Sequence, residues 1–440
     1  MLKTFRLGGI HPEGHKNTST KLQLLPLPET AILPLSQHIG APSVPCVAKG
    51  DIVKRGQLIA EHPSFVSAGL HAPISGTVSA IEPVMMPNGK RAQAIIIKAS
   101  ETEHEADTRA REEYWSKLIP GVTDRELSEN LEASTIRQRI ADAGIVGLGG
   151  ATFPSHVKLT LKDVKAEVLI LNACECEPYL MCDDSLCRAY PARIVEGVEL
   201  MMKAADIPRA IIAMEDNKPE AAEAIRKALD TRHNISLQLL KTRYPQGGEK
   251  QLIEAVTSRR VASGALPISV GVIVNNIATA FAVWQAVATD TPLIERVVTV
   301  NGDIPSEQRC NYIAAIGTSL DSLPLTLPEN ARVIVGGPMM GRTAVRLDAP
   351  ITKGTSGLTI LAEAKRGPVQ PCTRCAKCVE ACPMGLEPYL LATYGRLRMW
   401  DDAREAKVAD CIECGSCSYS CPSNRPILDY IRVAKQRSRK

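Results

Sequence analysis

The hydrophobic positions of this chain change their period several times between residues 1 and 440, and each change predicts a different kind of element. From 36 to 100, apolar residues come in short β-prone runs broken by turn residues: KGDIVKRGQLIA (Lys49–Ala60), HAPISGTVSAI (His71–Ile81) and AQAIIIKA (Ala92–Ala99). From about 115 to 290 the pattern alternates between helical and extended. STIRQRIADAG (Ser134–Gly144), RIVEGVELMMKAA (Arg193–Ala205) and KPEAAEAIRKALD (Lys218–Asp230) read as helices, AEVLILNA (Ala166–Ala173) and RAIIAME (Arg209–Glu215) as strands. That alternation predicts an α/β domain with a largely parallel sheet, which binds ligands in the loops beyond its strand ends. Pro267 to Ala288 carries no charge, but Gly271, Asn275, Asn276 and Gln285 interrupt it. It splits into a strand (Ile268–Val274), a turn and a helix (Thr279–Ala288), a buried βα unit rather than a membrane span. ERVVTVNG (Glu295–Gly302) and ARVIVGGPMMG (Ala331–Gly341) flank a mixed region, and Leu386–Asp410 is helical by period, with Trp400 as core.

The expected organisation is therefore multidomain α/β and β. Residues 1–35, rich in glycine and proline, form an arm. Residues 36–105 resemble a lipoyl/biotinyl-type sandwiched barrel, carried by G-D-x-V-x-x-G-Q and A-P-x-x-G-x-V; the tip between them, EHPSFVSAGL (Glu61–Leu70), lacks the carrier lysine, so the module reads as structural. Residues 115–290 form the α/β domain, 291–364 a small β-grasp domain, and 365–440 a ferredoxin-like helical domain. A charged fraction of 23% and a net charge of +4 give no reason to expect bulk disorder or nucleic acid binding. The basic tail Lys435, Arg437, Arg439 and Lys440 reads as a solvated end, with docking or a lipid surface as the alternative. The N-terminus has charge and glycine where an export signal needs an apolar core, and no export is expected.

Eight of the 14 cysteines lie in CTRCAKCVEACP (Cys372–Pro383) and CIECGSCSYSCP (Cys411–Pro422), two copies of C-x2-C-x2-C-x3-C-P. This is the bacterial ferredoxin spacing for [4Fe–4S] clusters, unlike the paired knuckles of zinc sites. In two-run ferredoxins the fourth cysteine of each run ligates the other cluster, so the expected sets are Cys372, Cys375, Cys378 with Cys421, and Cys411, Cys414, Cys417 with Cys382. Cluster assembly needs a reducing compartment, so the cytoplasm is expected. Cys174, Cys176, Cys182 and Cys187 fit no metal spacing and read as buried thiols, with a third metal site as the alternative; Cys46 and Cys310 are isolated. The histidines form no ligand pair, and His11, His71 and His156 read as loop or cap residues.

Clusters exchange single electrons and nicotinamide delivers a hydride, so a chain joining them requires a flavin, and the α/β domain needs a phosphate cradle. GIVGLGGATFPSHVKL (Gly144–Leu159) places Gly147, Gly149 and Gly150 before a helix expected to start at Pro154. NACECEPY (Asn172–Tyr179), YPQGGEKQL (Tyr244–Leu252) and NNIAT (Asn275–Thr279) supply three more polar or glycine-rich strand-end turns.

These four stretches, in this order, resemble the flavin-binding domain of the NADH-oxidising subunit of respiratory complex I. With GGIHPEGHK (Gly8–Lys16), the barrel, MEDNKPEA (Met214–Ala221), GGPMMG and both cysteine runs, nearly the whole chain resembles the C subunits of Rnf electron transport complexes. The resemblance implies that Gly147, Gly149, Gly150 and Lys158 hold the phosphate and ribityl of non-covalent FMN. It places Asn172, Glu175, Gly247, Gly248, Asn275, Asn276 and Thr279 around the flavin, and Glu177, Glu249 and Phe153 toward NADH. The first-turn position of Glu249 and a core role for Phe153 are the structural alternatives. Against the complex I pattern, Leu148 replaces an arginine, Cys174 and Cys176 an aspartate and a serine, and Gly248 a glutamate.

The implied activity is reversible electron transfer between NADH and ferredoxin-side partners through FMN and two clusters, with no acid–base catalytic residue. The implied setting is the cytoplasmic face of the membrane, on membrane subunits that translocate Na+ or H+ and beside a ferredoxin-type partner protein. With the sequence ending at Lys440, docking through a long repetitive extension of the kind some family members carry is not expected. Two rival readings are a microcompartment cobalamin reductase of similar domain order and a non-enzymatic wiring adaptor.

Overall fold

The computed structural model describes residues 2–118, 130–161, 164–230, 232–363 and 367–438; Arg439 and Lys440 of the basic tail and residues 365–366 of the expected last boundary lie outside them. Two small sheets make the barrel. Thr30–Pro34, Arg91–Ala99, Gly76–Met85 and Ile52–Val53 form one antiparallel sheet, and Val44–Pro45, Leu58–Glu61 and Leu70–His71 form the other. Their inward residues Leu33, Ile59, Leu70, Ile74, Ile95 and Ile97 are fully buried.

The arm is more integrated than its composition suggests. Thr30–Pro34 pairs with the barrel strand Arg91–Ala99, and Leu22–Leu24 joins a different sheet beside Cys310–Ala315. Both partners lie far along the chain, so no local pattern marks these strands. Helix Glu101–Lys117 is a second feature that periodicity did not predict. It is polar almost all round, which gives no apolar stripe. What it buries is specific: Arg111 pairs with Glu295 and donates to the carbonyls of Leu25 and Ile313, and the Trp115 indole N–H donates to Glu295 (2.9 Å).

The α/β domain has a fully parallel four-stranded sheet in the order Ile235–Leu240, Ala210–Glu215, Val168–Ala173, Val272–Asn276. Asn276 lies opposite Asn172, so the functional loops leave one edge together. The chain reverses its direction of winding between Val168–Ala173 and Val272–Asn276, which creates a crevice at that edge. Helices Pro191–Ala205 and Ile277–Ala288 cross closely on one face, because a Cβ at Gly197 would lie 1.9 Å from the Ala280 carbonyl oxygen. The expected strand Ile268–Val274 is shifted: Pro267–Val270 is a 3-10 turn, the strand is Val272–Asn276, and the helix follows at Ile277 with no intervening turn. Asn276 makes this possible as N-cap, its side chain accepting from the Ala278 N–H (2.9 Å).

The third unit is a mixed six-stranded sheet in the order Leu22–Leu24, Cys310–Ala315, Glu295–Gly302, Gly357–Leu361, Arg332–Val335, Arg342–Thr343. Glu295–Gly302 and Gly357–Leu361 run parallel at its centre, and helix Cys182–Ala189 packs on this sheet, Ser185 Oγ accepting from Asn311 Nδ2 (2.9 Å). The last unit pairs helices Pro388–Leu397 and Ile427–Arg437, with Gly395 against the Tyr430 carbonyl and Trp400 packed on the small core as expected. Among the described residues no helix is long and apolar enough to cross a membrane.

Candidate functional site

The four predicted turns meet at the open edge of the parallel sheet. In the first, Gly147 N–H donates to the Phe153 carbonyl (2.9 Å) and Leu148 N–H to Thr279 Oγ1 (3.0 Å), which closes the glycine turn onto helix Ile277–Ala288. Gly149 and Gly150 are exposed at its crest, Gly150 with φ +103°, and a Cβ at Gly149 would lie 3.2 Å from Asn276 Cβ. The helix after this turn starts at Ser155, one residue later than expected, and runs only to Leu159; Pro154 bridges back to Val146 instead. Backbone N–H groups and open space, rather than a long helix dipole, thus make the cradle. Phe153 is half-buried on the return of the turn.

Asn172 ties the second turn to the third. Its Oδ1 accepts from Cys174 N–H (3.0 Å) and its Nδ2 donates to the Gly247 carbonyl (2.9 Å). A Cβ at Gly247 would lie 2.4 Å from the Cys174 carbonyl oxygen, so only glycine fits. Gly248 precedes helix Glu249–Thr257, and Glu249 reaches across the rim to Lys158 (3.1 Å). Asn275 is 4% exposed and its Nδ2 has no hydrogen-bond partner. A buried, unsatisfied amide under a rim of open glycines is what a polar ligand would complete, and these residues fit a flavin with its phosphate.

Two of the predicted carboxylates point elsewhere. Glu175 is buried, and its carboxylate accepts from the Cys182 thiol (3.2 Å) and from the backbone N–H of Asp183 (3.1 Å) and Asp184 (3.4 Å). Asp183 in turn accepts from Asn276 Nδ2 (2.7 Å); burial, with the Glu175 charge second, pushes its carboxyl up to about 7. Glu177, expected to face NADH, has both oxygens engaged by Met339 N–H (3.1 Å) and Met340 N–H (2.7 Å) of the GGPMMG loop, and burial raises it above the usual carboxylate range.

Cys174, Cys176, Cys182 and Cys187 do not converge. Cys174 packs with one sheet face, Cys182 and Cys187 with the other, and Cys176 against the last domain. Among the described residues no three His, Cys, Asp or Glu side chains gather as for a single metal ion. A [4Fe–4S] cluster is a different demand, since each thiolate binds its own iron.

The cysteine runs cross over. Cys382 lies within electrostatic reach of Cys411, Cys414 and Cys417, and the four line a pocket of about 350 Å³ with Ile412, Leu391, Leu428 and Ile431. Cys378 lies near Cys372 and Cys421 instead. Thiols facing one apolar space suit an iron–sulfur cluster. The pocket of Cys382, Cys411, Cys414 and Cys417 abuts the flavin rim: Tyr244, Cys176 and Met339 pack against Cys414 and Ala381, and a Cβ at Gly415 would lie 2.8 Å from the Met339 carbonyl oxygen. In the other set, Cys372 and Cys375 are exposed. Lys435, expected in a solvated tail, instead donates to the Cys411 carbonyl (2.6 Å) and pairs with Glu413 (3.2 Å).

Comparison with known proteins assigns three segments of the chain to described families. Family models described as the RnfC barrel sandwich hybrid domain, the Nuo51 FMN-binding domain and a 4Fe-4S dicluster domain match residues 3–102, 140–285 and 371–425. The C subunit of the proton-translocating ferredoxin:NAD(+) oxidoreductase complex of Clostridium ljungdahlii is 42% identical across 100% of this chain and 95% of its own length. The chain belongs to the Rnf C-subunit family. The Na(+)-translocating counterpart from Acetobacterium woodii is 40% identical, covering 98% of this chain and 96% of that one. A chain of NAD+-reducing [NiFe]-hydrogenase in the H2-reduced state shares the fold, with a TM-score of 0.51 at 20% identity, over 72% of this chain and 64% of that chain, under two thirds of its length. As an Rnf C subunit, the protein has FMN and two [4Fe–4S] clusters as its cofactors.

Motif reasoning left out several residues of this Rnf C-subunit site. Lys16 Nζ donates to the carbonyls of Glu175 (2.8 Å), Glu177 (3.0 Å) and Leu180 (2.5 Å), and Lys218 Nζ pairs with Glu215 (3.3 Å) and reaches the Glu175 carbonyl (3.4 Å). Burial, with Lys218 second, lowers Lys16. Burial also opposes the charge on Lys218, but Glu215 and Glu175 outweigh it and raise that lysine. Together the two lysines lock the NACECEPY turn by its main chain. The available signal was their place in GGIHPEGHK and MEDNKPEA, blocks that carried the resemblance without an assigned role.

Proposed function

We propose that this chain is the NADH-oxidising subunit of an ion-translocating electron transport complex, working reversibly at the cytoplasmic face of the membrane. The supporting observation is the contact between the flavin rim and the pocket of Cys382, Cys411, Cys414 and Cys417, made through Tyr244, Cys176 and Met339. FMN supplies the change from hydride acceptance to one-electron delivery, and the clusters supply the one-electron relay. Gly147, Gly149, Gly150 and Lys158 hold the phosphate end; Asn172, Asn275, Asn276, Thr279, Gly247 and Gly248 shape the rest of the flavin site; Phe153 and Glu249 stand at its mouth for the dinucleotide. Glu177 is revised to a loop anchor. Cys382, Cys411, Cys414 and Cys417 ligate the proximal cluster; Cys372, Cys375, Cys378 and Cys421 ligate the distal one, whose exposed side meets a ferredoxin-type partner protein. Relatives named for proton and for sodium translocation support membrane partners for this chain as well.

The test is anaerobic addition of NADH to the FMN- and iron-loaded protein, following flavin absorbance and low-temperature EPR together. Flavin bleaching followed by both cluster signals is the expected result. Clusters that dithionite reduces while NADH leaves flavin and clusters untouched would overturn the reading in favour of a wiring adaptor.

A further inference from the structure

Tyr244 belongs to two sites at once. Its main chain opens the YPQGG turn, which delivers Gly247 and Gly248 to the flavin rim, and pairs with the arm: Tyr244 N–H donates to the Ile10 carbonyl (2.9 Å) and Ile10 N–H to the Tyr244 carbonyl (2.8 Å). Its side chain is 1% exposed and runs the other way, out of the α/β domain and into the cysteine-bearing domain. There the hydroxyl donates to the main-chain carbonyl of Cys414 (2.7 Å). A buried tyrosine hydroxyl needs a partner, and many carbonyls would serve. This one belongs to a cysteine of the proximal set.

Three neighbours show that the junction is fitted closely. Gly9 N–H donates to the Ala381 carbonyl (3.0 Å), and a Cβ at Gly8 would lie 2.4 Å from the Cys382 carbonyl carbon. Gln251, on the helix that follows the YPQGG turn, donates to the Pro383 carbonyl (3.2 Å). Each of these contacts orients main chain around the four thiols, but among these three donors only Tyr244 brings a side-chain O–H dipole to a ligand residue's own peptide. Hydrogen bonding and solvent exclusion set cluster potentials. A hydroxyl hydrogen pointed at the Cys414–Gly415 peptide favours extra negative charge beside it, so it raises the proximal cluster's potential.

Resting on the proposed electron route, we propose that Tyr244 is a positioning residue that registers the flavin rim against the proximal cluster and raises that cluster's potential through the Cys414 carbonyl. The test uses the full chain loaded with FMN and both clusters. Tyr244→Phe keeps the buried ring and removes only the hydroxyl. Redox-poised EPR should show the proximal potential lowered and the distal potential unchanged, the distal cluster acting as internal control. In stopped flow, NADH-driven flavin bleaching should keep its rate while cluster reduction slows several-fold. If Tyr244→Phe loses the cluster outright, site-specific 3-fluorotyrosine at position 244, a stronger donor of nearly the same shape, decides the matter by shifting the proximal potential upward. An unchanged proximal potential in whichever variant retains the cluster, or an equal shift of both clusters, overturns the proposal. Failure of NADH to bleach the flavin of the unmodified chain would instead sink the underlying electron route.

Discussion

The two cysteine runs are near-copies in sequence and opposites in position. Cys414 and Cys417 are buried and, with Cys382 and Cys411, face an apolar pocket lined by the last domain, against whose Ala381 and Cys414 pack Ile10 of the arm, Tyr244 of the YPQGG turn and Met339 of the GGPMMG loop. Cys372 and Cys375 lie on the surface, in a segment exposed from residue 367 to residue 377. The shared motif specifies what is bound; the contacts around it specify the role. The walled site suits an internal relay whose potential the protein controls, and the open site suits exchange with a second protein.

The comparison is broken most directly by removing one thiolate at each site. Cys414→Ala should leave NADH-dependent flavin bleaching intact and abolish NADH-driven reduction of the distal cluster. Cys375→Ala should lose the distal signal and leave the proximal cluster reducible by NADH, read by EPR in both cases. If the distal cluster of Cys414→Ala still reduces at the original rate, the order of the relay is wrong.

A smaller change sharpens the same contrast from outside the ligand sets. Gly8 has φ +60°, and an added Cβ would overlap the main chain of Cys382 and Pro383. Gly8→Ala should cost about 1–3 kcal/mol, the usual range for overpacking a close contact, seen as a lower thermal midpoint. On exposure to oxygen, its proximal EPR signal should decay faster than that of the unmodified chain, with distal decay unaltered. Gly247→Ala meets the Cys174 carbonyl on the opposite side of the junction and should weaken FMN retention while both cluster signals persist, checked by flavin content after gel filtration.

Much of this was legible in the chain, for reasons that can be named. The cysteine spacing marks a cofactor because ligand geometry is local, and Val168–Ala173 and Pro191–Ala205 came close to expectation because their periodicity is local too. Helix Glu101–Lys117 was missed because it has no apolar stripe: its buried face is Arg111 and Trp115 on Glu295, a residue far along the chain. Glu177 was placed toward the dinucleotide by resemblance, which does not report where a carboxylate turns, and its partners, the N–H groups of Met339 and Met340, are main chain and leave no side-chain signature. The roles of Tyr244, Lys16 and Lys218 stayed hidden for the same reason, since each acts on a distant carbonyl.

The smallest expected effect tests whether the flavin end carries a pH sensitivity that the distal end does not share. Asp183 lies beneath the rim, with Glu175 and Cys182 beside it, Asn276 donating to it, and Arg296 and Lys218 acting at longer range. Its carboxyl is raised from 3.8 to about 7, chiefly by burial. A raised acid favours folding while protonated, so its stabilising contribution is complete below about pH 4 and is lost as pH rises through about 7. Asp183→Asn keeps an oxygen for the Asn276 amide and cannot ionise. The variant's thermal midpoint should therefore climb relative to the unmodified chain between pH 4 and 7, then level off. With solvent screening of a half-buried group, the gain is on the order of 1–2 kcal/mol. Lys353, lowered to about 7 by burial, works in the opposite direction: its contribution is present above its ordinary range and lost as pH falls through 7. It is common to both proteins and cancels in the difference. A midpoint difference that stays constant across the range would show that Asp183 is not titrating there. A change in the distal cluster's EPR potential with the same substitution would show that the two ends are not electrostatically separate.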